Sequence, residues 1–193
     1  MNTDRSQSRR EFLRESALFA AGLSLTGPLS AQAAPREFST GDKLNIGIIG
    51  AGGRGWDNLQ GVQTENIVAL CDVDMGAPHT LEILKMFPDV PRFQDFRVMM
   101  DKMGSQIDAV TAGVPDFAHF PIVMHAMSMG KHIFTEKPMG RTFNEVELMI
   151  KGAKKYKVAT QMGNQGHSEA NYFQFKAWKE AGIIKDVTAI TAH

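Results

Sequence analysis

Short apolar segments alternate along the chain with segments in which apolar residues recur at helical spacing. The apolar segments have the length of buried strands, and they lie at 43–50, 67–71, 107–111, 133–134 and 158–160. The helical segments fall between them, at 54–62, 77–87, 96–103, 117–129 and 144–156. Strands that alternate with helices build a parallel sheet covered on both faces. The pattern therefore predicts an α/β fold with a doubly wound parallel sheet.

The last part of the chain, residues 165–193, has a different pattern. It predicts a crossover helix over 169–181, and residues 184–193 then alternate as a strand does, with β-branched residues among them. A sheet's first strand without its neighbours is an exposed edge. We therefore expect 165–193 to be the start of a truncated α+β substrate domain. The alternative is a one-domain protein whose last strand pairs with another molecule.

The first residues have the order of an export signal. An arginine pair, Arg9 and Arg10, is followed by Phe12 and Leu13, a weakly apolar stretch and an Ala-Gln-Ala site that ends at Ala33. The pair with Phe-Leu resembles a twin-arginine signal, which is an address and not an anchor. We expect a signal peptide at 1–33, a linker at 34–42, a periplasmic or otherwise extracytoplasmic protein, and no stable membrane anchor. The alternative is an amphipathic N-terminal helix on a cytosolic protein.

Composition excludes several classes of protein and site. The 193 residues carry 21 basic and 21 acidic side chains, and no block of Lys or Arg, which argues against a nucleic-acid partner. A single cysteine excludes an intrachain disulfide framework and a multi-cysteine zinc site. The histidines and carboxylates show no spacing typical of metal ligands, so we predict no metal site.

A glycine-rich loop follows the first predicted strand. Residues 50–55 read GAGGRG and open a helix, which fits the G-x-G-x-x-G pattern of a dinucleotide-binding Rossmann unit. In that pattern Gly50 permits the turn, Gly52 lets the backbone approach a pyrophosphate, and Gly55 lets the helix pack on the strand. The helix N-terminus then faces the phosphates. The loop residues expected to bind the cofactor are Gly50, Gly52, Gly53, Arg54 and Gly55. The alternative is a glycine-rich turn in an unrelated α/β fold.

An acidic residue follows the second predicted strand. Asp72 lies 22 positions after Gly50, where a carboxylate accepts hydrogen bonds from the adenosine ribose. A carboxylate there repels a 2′-phosphate, which favours NAD. Arg54 could contact phosphate or accommodate a 2′-phosphate, so NADP stays open.

Several further segments resemble one family. GVPDFAH at 113–119, GKHIFTEKP at 130–138 and VATQMGN at 158–164 follow the glycine loop in the order of the Gfo/Idh/MocA family, which includes glucose-fructose oxidoreductase and inositol dehydrogenase. The resemblance implies that 43–164 is an NAD-binding domain. It also implies an NAD(P)-dependent oxidoreductase that transfers hydride to or from a sugar or polyol. Its second domain binds substrate and often mediates oligomerisation, so we expect a full-length form to be a homo-oligomer.

The resemblance also implies roles for individual residues. Lys137 of the E-K-P motif would be the catalytic residue near the nicotinamide and the substrate hydroxyl, since a desolvated lysine can exchange a proton near neutral pH. Glu136 would face the nicotinamide ribose, and Pro115 and His119 would line the nicotinamide side. His119 could equally be a helix residue satisfied by backbone. His167 could touch substrate or be structural.

Two classes of function are therefore open. The first is an enzyme or its cofactor half, including a glycosidase-type member that uses tightly bound NAD to oxidise and re-reduce a sugar. The second is a dinucleotide-binding fragment without catalysis.

Overall fold

The computed structural model describes residue 39 and residues 41–191 of the chain. The predicted signal peptide, most of the predicted linker and residues 192–193 lie outside the described residues. Among the helices of the described part, none combines the length and the apolar character that crossing a membrane requires.

A six-stranded parallel sheet forms the centre of the fold. Its strand order is β3-β2-β1-β4-β5-β6, which is the doubly wound Rossmann order. The strands are β1 Asn45–Ile49, β2 Asn66–Cys71, β3 Arg92–Phe93, β4 Ala109–Ala112, β5 His132–Thr135 and β6 Thr160–Met162. The predicted fold class is confirmed. The two residues of β3 were not predicted, because a strand so short has no periodicity to detect.

Within the described residues, six α-helices connect and follow these strands. They are α1 Arg54–Val62, α2 Pro78–Met86, α3 Phe96–Met103, α4 Asp116–Ser128, α5 Phe143–Tyr156 and α6 Ala170–Glu180. Short 3-10 turns lie at Gly104–Gln106 and Gln165–His167. Each predicted helix is present, and its ends differ from the prediction by one residue at most.

The two faces of the sheet carry separate cores, because successive side chains of a strand point to opposite faces. Ile46 and Ile48 of β1 pack on one face in a cluster with Leu59 of α1 and Ile83 of α2. Ile49 packs on the other face, in a larger cluster of buried residues rich in methionine that includes Met99, Met100, Met127 and Met149. The central strands β1 and β4 are thus buried from both sides, which explains their continuous apolar sequence.

The register of the sheet brings the ends of its strands to one edge. Ile49 of β1 pairs with Cys71 of β2 and with Ala112 of β4, and Ala112 pairs in turn with Thr135 of β5. Thr135 pairs with Met162 of β6. The residues that follow these strand ends therefore line a single carboxyl edge, and they are Gly50, Asp72, Gly113, Glu136 and Gly163.

One strand prediction is wrong in position, and another is wrong because no strand forms. The strand expected at 158–160 begins at Thr160, because Lys157, directly after α5, lies in the left-handed region (φ 55°) and Thr160 is the first residue in register with Ile133 of β5. The strand expected at 184–193 is not formed over 184–191, which are irregular. An alternating sequence becomes a strand only when a neighbour accepts its hydrogen bonds, and no strand of the described residues lies beside it.

Helix α6 has no buried residue. Its aromatic side chains face solvent, with exposed fractions of 58% for Phe173, 54% for Phe175 and 43% for Trp178. An amphipathic helix contributes stability only where its apolar face is covered, so α6 is the least supported element of the described chain.

Candidate functional site

The turn from β1 into α1 brings two backbone segments so close that side chains do not fit. Gly50 has a φ of +77°, and a Cβ atom there would overlap the carbonyl oxygen of Gly113. A Cβ atom on Gly55 would overlap the carbonyl oxygen of Gly50. The predicted reasons for these two glycines, a tight turn and close packing of helix on strand, therefore hold in the structure.

Gly52 is required for a further reason. A Cβ atom at this position would overlap the ring of His79 and would lie 2.9 Å from Oγ1 of Thr80, both in the first turn of α2. The close approach of α2 to the glycine loop thus excludes a side chain at position 52, whether or not a ligand is bound.

The N-terminus of α1 has the chemistry of an anion site. Gly53 precedes Arg54 as the N-cap residue, and no side chain caps this end of the helix. The first amide groups of a helix have no intrahelical partner and carry a partial positive charge. A phosphate group of a dinucleotide fits this end.

A cavity of about 550 Å³ opens beside the glycine loop. Its wall combines the loop, the end of β2, the segment before α3 and the loop that opens α4. Of the residues predicted to bind cofactor, it is lined by Gly50, Gly52, Gly53, Asp72 and Pro115. The structure thus brings the glycine loop and the acidic residue together at the switch point of the sheet, where open α/β sheets bind ligands.

Backbone amides hold Asp72 in place within this cavity. The amide N–H of Gly52 donates to its Oδ2 at 3.1 Å, and the amide of Asp74 donates to its Oδ1 at 2.9 Å. A carboxylate oxygen can accept more than one hydrogen bond, so the ribose hydroxyls of a nucleotide fit this group.

The neighbouring thiol is inert. Cys71 lines the cavity but is almost fully buried. Burial, followed by the charges of Asp72 and Asp95, raises the pKa of this thiol to about 12. Cys71 is therefore a small apolar wall residue and not a nucleophile at neutral pH.

Sequence reasoning missed the opposite rim of the cavity. His79, Gln94 and Arg97 line it. The Arg97 guanidinium donates to both oxygens of Asp95 and holds the pKa of that carboxyl at about 2. No motif marks these residues. His79 reaches the cavity through the packing of α2 against the glycine loop, and Gln94 and Arg97 follow β3, which is too short to be predicted.

Arg54 and Glu136 form an ion pair beside this cavity. The Nε of Arg54 donates to Oε1 of Glu136 at 3.1 Å, and its Nη1 donates to Asp57 at 2.8 Å. Glu136 is only 3% exposed. Arg54, predicted to contact a phosphate or accommodate a 2′-phosphate, is thus engaged with two carboxylates.

Lys137 is exposed at the carboxyl end of β5 and does not line the cavity. Its peptide bond to Pro138 is cis. His119 is fully buried, with Nδ1 2.6 Å from the carbonyl oxygen of Pro138 and Nε2 2.9 Å from that of Val114. The structure thus places a backbone carbonyl oxygen beside each ring nitrogen, and a role for His119 beside the nicotinamide stays a prediction.

A second cavity of about 600 Å³ lies at the ends of β5 and β6. Phe134 and Met162 form part of its wall, together with six polar residues, Gln161, Asn164, Gln165, His167, Ser168 and Glu169, and we call it the polar cavity. The ring of His167 stacks on Tyr172 of α6 with 5.0 Å between centroids. Gln165, which no motif marks, donates from its side-chain amide to Oε1 of Glu136 at 2.9 Å.

Among residue 39 and residues 41–191, no three His, Cys, Asp or Glu side chains are grouped as they would need to be to hold a metal ion.

Comparison with known proteins decides the family. The model of the oxidoreductase family with an NAD-binding Rossmann fold, Gfo/Idh/MocA, matches residues 44–164. The chain belongs to this family. The match includes the glycine loop, Asp72 and the E-K-P motif, so this part of the chain is an NAD-binding domain.

Relatives in the Gfo/Idh/MocA family include hydrolases and dehydrogenases. A glycosyl hydrolase family 109 protein from Shewanella pealeana is 30% identical over 72% of this chain and 35% of its own length. Inositol 2-dehydrogenase/D-chiro-inositol 3-dehydrogenase from Lactiplantibacillus plantarum is 28% identical over 72% of this chain and 40% of its own.

A solved structure is similar over the same region. Scyllo-inositol dehydrogenase from Lactobacillus casei, with bound cofactor NAD(H) and scyllo-inositol, matches with a TM-score of 0.63 and 27% identity. The match covers 76% of this chain and 44% of that one. The chain therefore spans less than half the length of these three relatives.

Proposed function

We propose that this chain is the NAD-binding part of an oxidoreductase that transfers hydride between NAD and a sugar or polyol. The observation that carries the proposal is the position of Lys137 on the edge that also holds the glycine loop and Asp72. Strand β4 lies between β1 and β5, so Lys137 follows a strand end only two strands away from Gly50. A proton-transfer group and a dinucleotide site thus share one edge of the sheet.

The chemistry divides between the cofactor and Lys137. NAD, when bound, accepts the hydride that leaves the carbinol carbon. The Nζ of Lys137 takes the proton of the substrate hydroxyl, so negative charge does not accumulate on its oxygen. Asp72 and the N-terminus of α1 hold the ribose and phosphate groups, which fixes the cofactor while the substrate exchanges.

The polar cavity supports a polyhydroxylated substrate. Amide, hydroxyl and imidazole groups converge there, and Gln165 connects this wall to Glu136, the neighbour of Lys137. Sugars and polyols offer many hydroxyl groups that such side chains can bind. We therefore propose that His167 contacts substrate on this side of Lys137.

Calorimetric titration of the purified chain with NAD tests the cofactor part of this proposal. We expect saturable binding, and Lys137→Met should change the affinity by no more than about twofold because the lysine is exposed and outside the cavity. In a form of the protein that oxidises a sugar, the same substitution should abolish turnover. Retained turnover in Lys137→Met would remove the lysine from the mechanism.

A glycosidase-type reaction is a second candidate. It is favoured by the relatives named glycosyl hydrolase family 109 proteins. An enzyme that oxidises and re-reduces the same sugar needs no free NAD, so it must retain the cofactor. Acid release of NAD from the purified protein, followed by chromatography, would show a near-stoichiometric amount. A protein that purifies without NAD but is saturated by added NAD favours the dehydrogenase.

A further protein surface is proposed to cover α6. The exposed aromatic residues of this helix, Phe173, Phe175 and Trp178, support a substrate domain packed against it, and we also propose that the complete form is a homo-oligomer. Reading the DNA beyond the codon of His193 distinguishes the alternatives. An open frame that encodes a second domain supports an enzyme, and an immediate stop supports a dinucleotide-binding module without catalysis.

We also propose export by the twin-arginine route, based on Arg9 and Arg10. A fusion of residues 1–42 to a reporter that is active only outside the cytoplasm tests this. Replacing both arginines by lysine should block export. Export that survives this double substitution contradicts the proposed route.

A further inference from the structure

Lys137 is exposed, but the residues on both sides of it are held by buried contacts. Glu136 before it is 3% exposed, and the carbonyl oxygen of Pro138 after it lies 2.6 Å from the buried ring of His119. The backbone at residue 137 is therefore fixed from two directions while the side chain is free.

Two side chains from distant parts of the chain hold Glu136. The Nε of Arg54 donates to Oε1 at 3.1 Å, and Nε2 of Gln165 donates to the same oxygen at 2.9 Å. Arg54 is the first residue of α1, at the glycine loop, and Gln165 lines the polar cavity. Glu136 thus joins the cofactor side and the proposed substrate side of the site.

The carboxylate depends on these partners. A buried charge that loses its partner is strongly destabilising, because neither water nor another group then stabilises it. Gly163 also packs against Glu136, since a Cβ atom there would lie 2.9 Å from each carboxylate oxygen. These contacts fix the position of the Glu136 carboxylate. If it lost a donor, the carboxylate would move toward water and take the adjoining backbone with it.

We propose that Arg54 and Gln165 are positioning residues for Lys137. They hold Glu136, and through it they fix the backbone of Lys137, which faces the nicotinamide half of NAD. Binding of the adenosine half depends instead on the cavity around Asp72. The inference rests on the proposed function, which places the nicotinamide near Lys137. It assigns to Arg54 a role in site geometry instead of discrimination at the adenosine 2′ position.

The test compares ligands that share the adenosine half and differ in the nicotinamide half. Arg54→Met and Gln165→Leu are made in the 193-residue chain, and the dissociation constants of NADH and AMP are measured by fluorescence and calorimetry. Each variant should bind NADH at least about tenfold more weakly, because Glu136 loses a charge-assisted hydrogen bond. AMP affinity should stay within about twofold of the parent. The emission of bound NADH, which reports the surroundings of the nicotinamide, should shift.

Matched controls separate these effects from the general effect of the same substitutions elsewhere and from unfolding of the chain. Arg141→Met and Gln60→Leu change exposed residues that do not line either cavity, and both should bind NADH as the parent does. Thermal unfolding identifies any variant that is not folded. The double variant Arg54→Met with Glu136→Gln removes the unpaired charge, so it should recover part of the NADH affinity lost in Arg54→Met.

Each alternative result has a defined meaning. Unchanged NADH affinity in both variants overturns the inference. An equal loss of AMP and NADH affinity in Arg54→Met, with no effect of Gln165→Leu, also overturns it and makes Arg54 a direct phosphate ligand. A parent chain that binds neither NADH nor AMP refutes the proposed function instead, so the two failures are distinguishable.

Discussion

At the scale of single residues, the site is built from side chains that hydrogen bonds already hold in place. Asp72 receives two backbone amides, Glu136 receives a guanidinium and a side-chain amide, and His119 lies between two carbonyl oxygens. Such groups lose little conformational entropy on binding a ligand. Lys137 differs, because its backbone is held while its side chain is exposed.

Asp72→Ala should weaken NAD binding by roughly 10- to 100-fold, which corresponds to about 1.5–3 kcal/mol for hydrogen bonds to a charged group. It should also reduce the preference for NAD over NADP, because the carboxylate that repels a 2′-phosphate is gone. Calorimetric titration with both nucleotides measures this. Asp74→Ala is the control, since Asp74 is exposed and bonds only within its own loop in the described contacts. Equal effects of the two substitutions would contradict the assignment.

Cys71 should resist alkylation in the folded protein. Its thiol has a pKa raised to about 12, chiefly by burial, so the reactive thiolate is scarce at pH 8, and its side chain is nearly closed to solvent. A thiol reagent that changes absorbance on reaction should modify it only after denaturant is added. Fast modification of the native chain at pH 8 would show that the β2 end opens readily.

At the scale of elements, the register of the strands places the residues that follow them on one carboxyl edge, and the helix ends set where the connecting loops begin and stop. Helix α5 is the clearest case. Thr142 accepts from the amide of Glu145 at 3.2 Å, and Oε2 of Glu145 accepts from the amide of Thr142 at 3.1 Å. This capping box starts the helix directly after the loop that carries Lys137.

Thr142→Ala should lower the free energy of unfolding by about 1 kcal/mol, because the first turn of α5 loses its side-chain acceptor. Denaturant unfolding followed by circular dichroism gives the value. Thr188→Ala, in the exposed irregular segment, should change stability by less than about 0.5 kcal/mol. If Thr142→Ala and Thr188→Ala have the same stability, the first turn of α5 is frayed in solution.

At the scale of the whole molecule, the parallel sheet is well supported and α6 is not. Two cores cover the sheet on its faces, while the aromatic side of α6 contacts solvent. The NAD-binding part therefore carries the stability of the described chain, and cofactor binding should add to it.

The thermal midpoint of the chain should rise with NAD concentration. At a free NAD concentration of 100 times the dissociation constant, the expected gain is about 2.7 kcal/mol, because NAD binds the folded state only. Scanning calorimetry over a series of NAD concentrations measures this. Asp72→Ala should require correspondingly more NAD for the same shift. A midpoint independent of NAD in the parent chain would contradict the NAD site.

The helices, four of the strands and the glycine loop could be predicted from sequence because each depends on local periodicity or on local turn chemistry. Non-local features could not. The strand at 160–162 is set by register with β5, and the predicted strand at 184–193 fails over 184–191, where no neighbour is present in the described chain. His79, Gln94 and Gln165 entered the site only once helix packing and strand order were known.

The sequence by itself determined the α/β class, the dinucleotide loop, Asp72 as its acidic partner and the resemblance that the family match then confirmed. Those conclusions depend on patterns that repeat over short distances. Only the tertiary structure decided that His119 is buried between carbonyl oxygens and that Arg54 holds Glu136, residues 82 positions apart. The physical reason is that parallel strands place their carboxyl ends at one edge, so residues distant in sequence meet there regardless of their spacing.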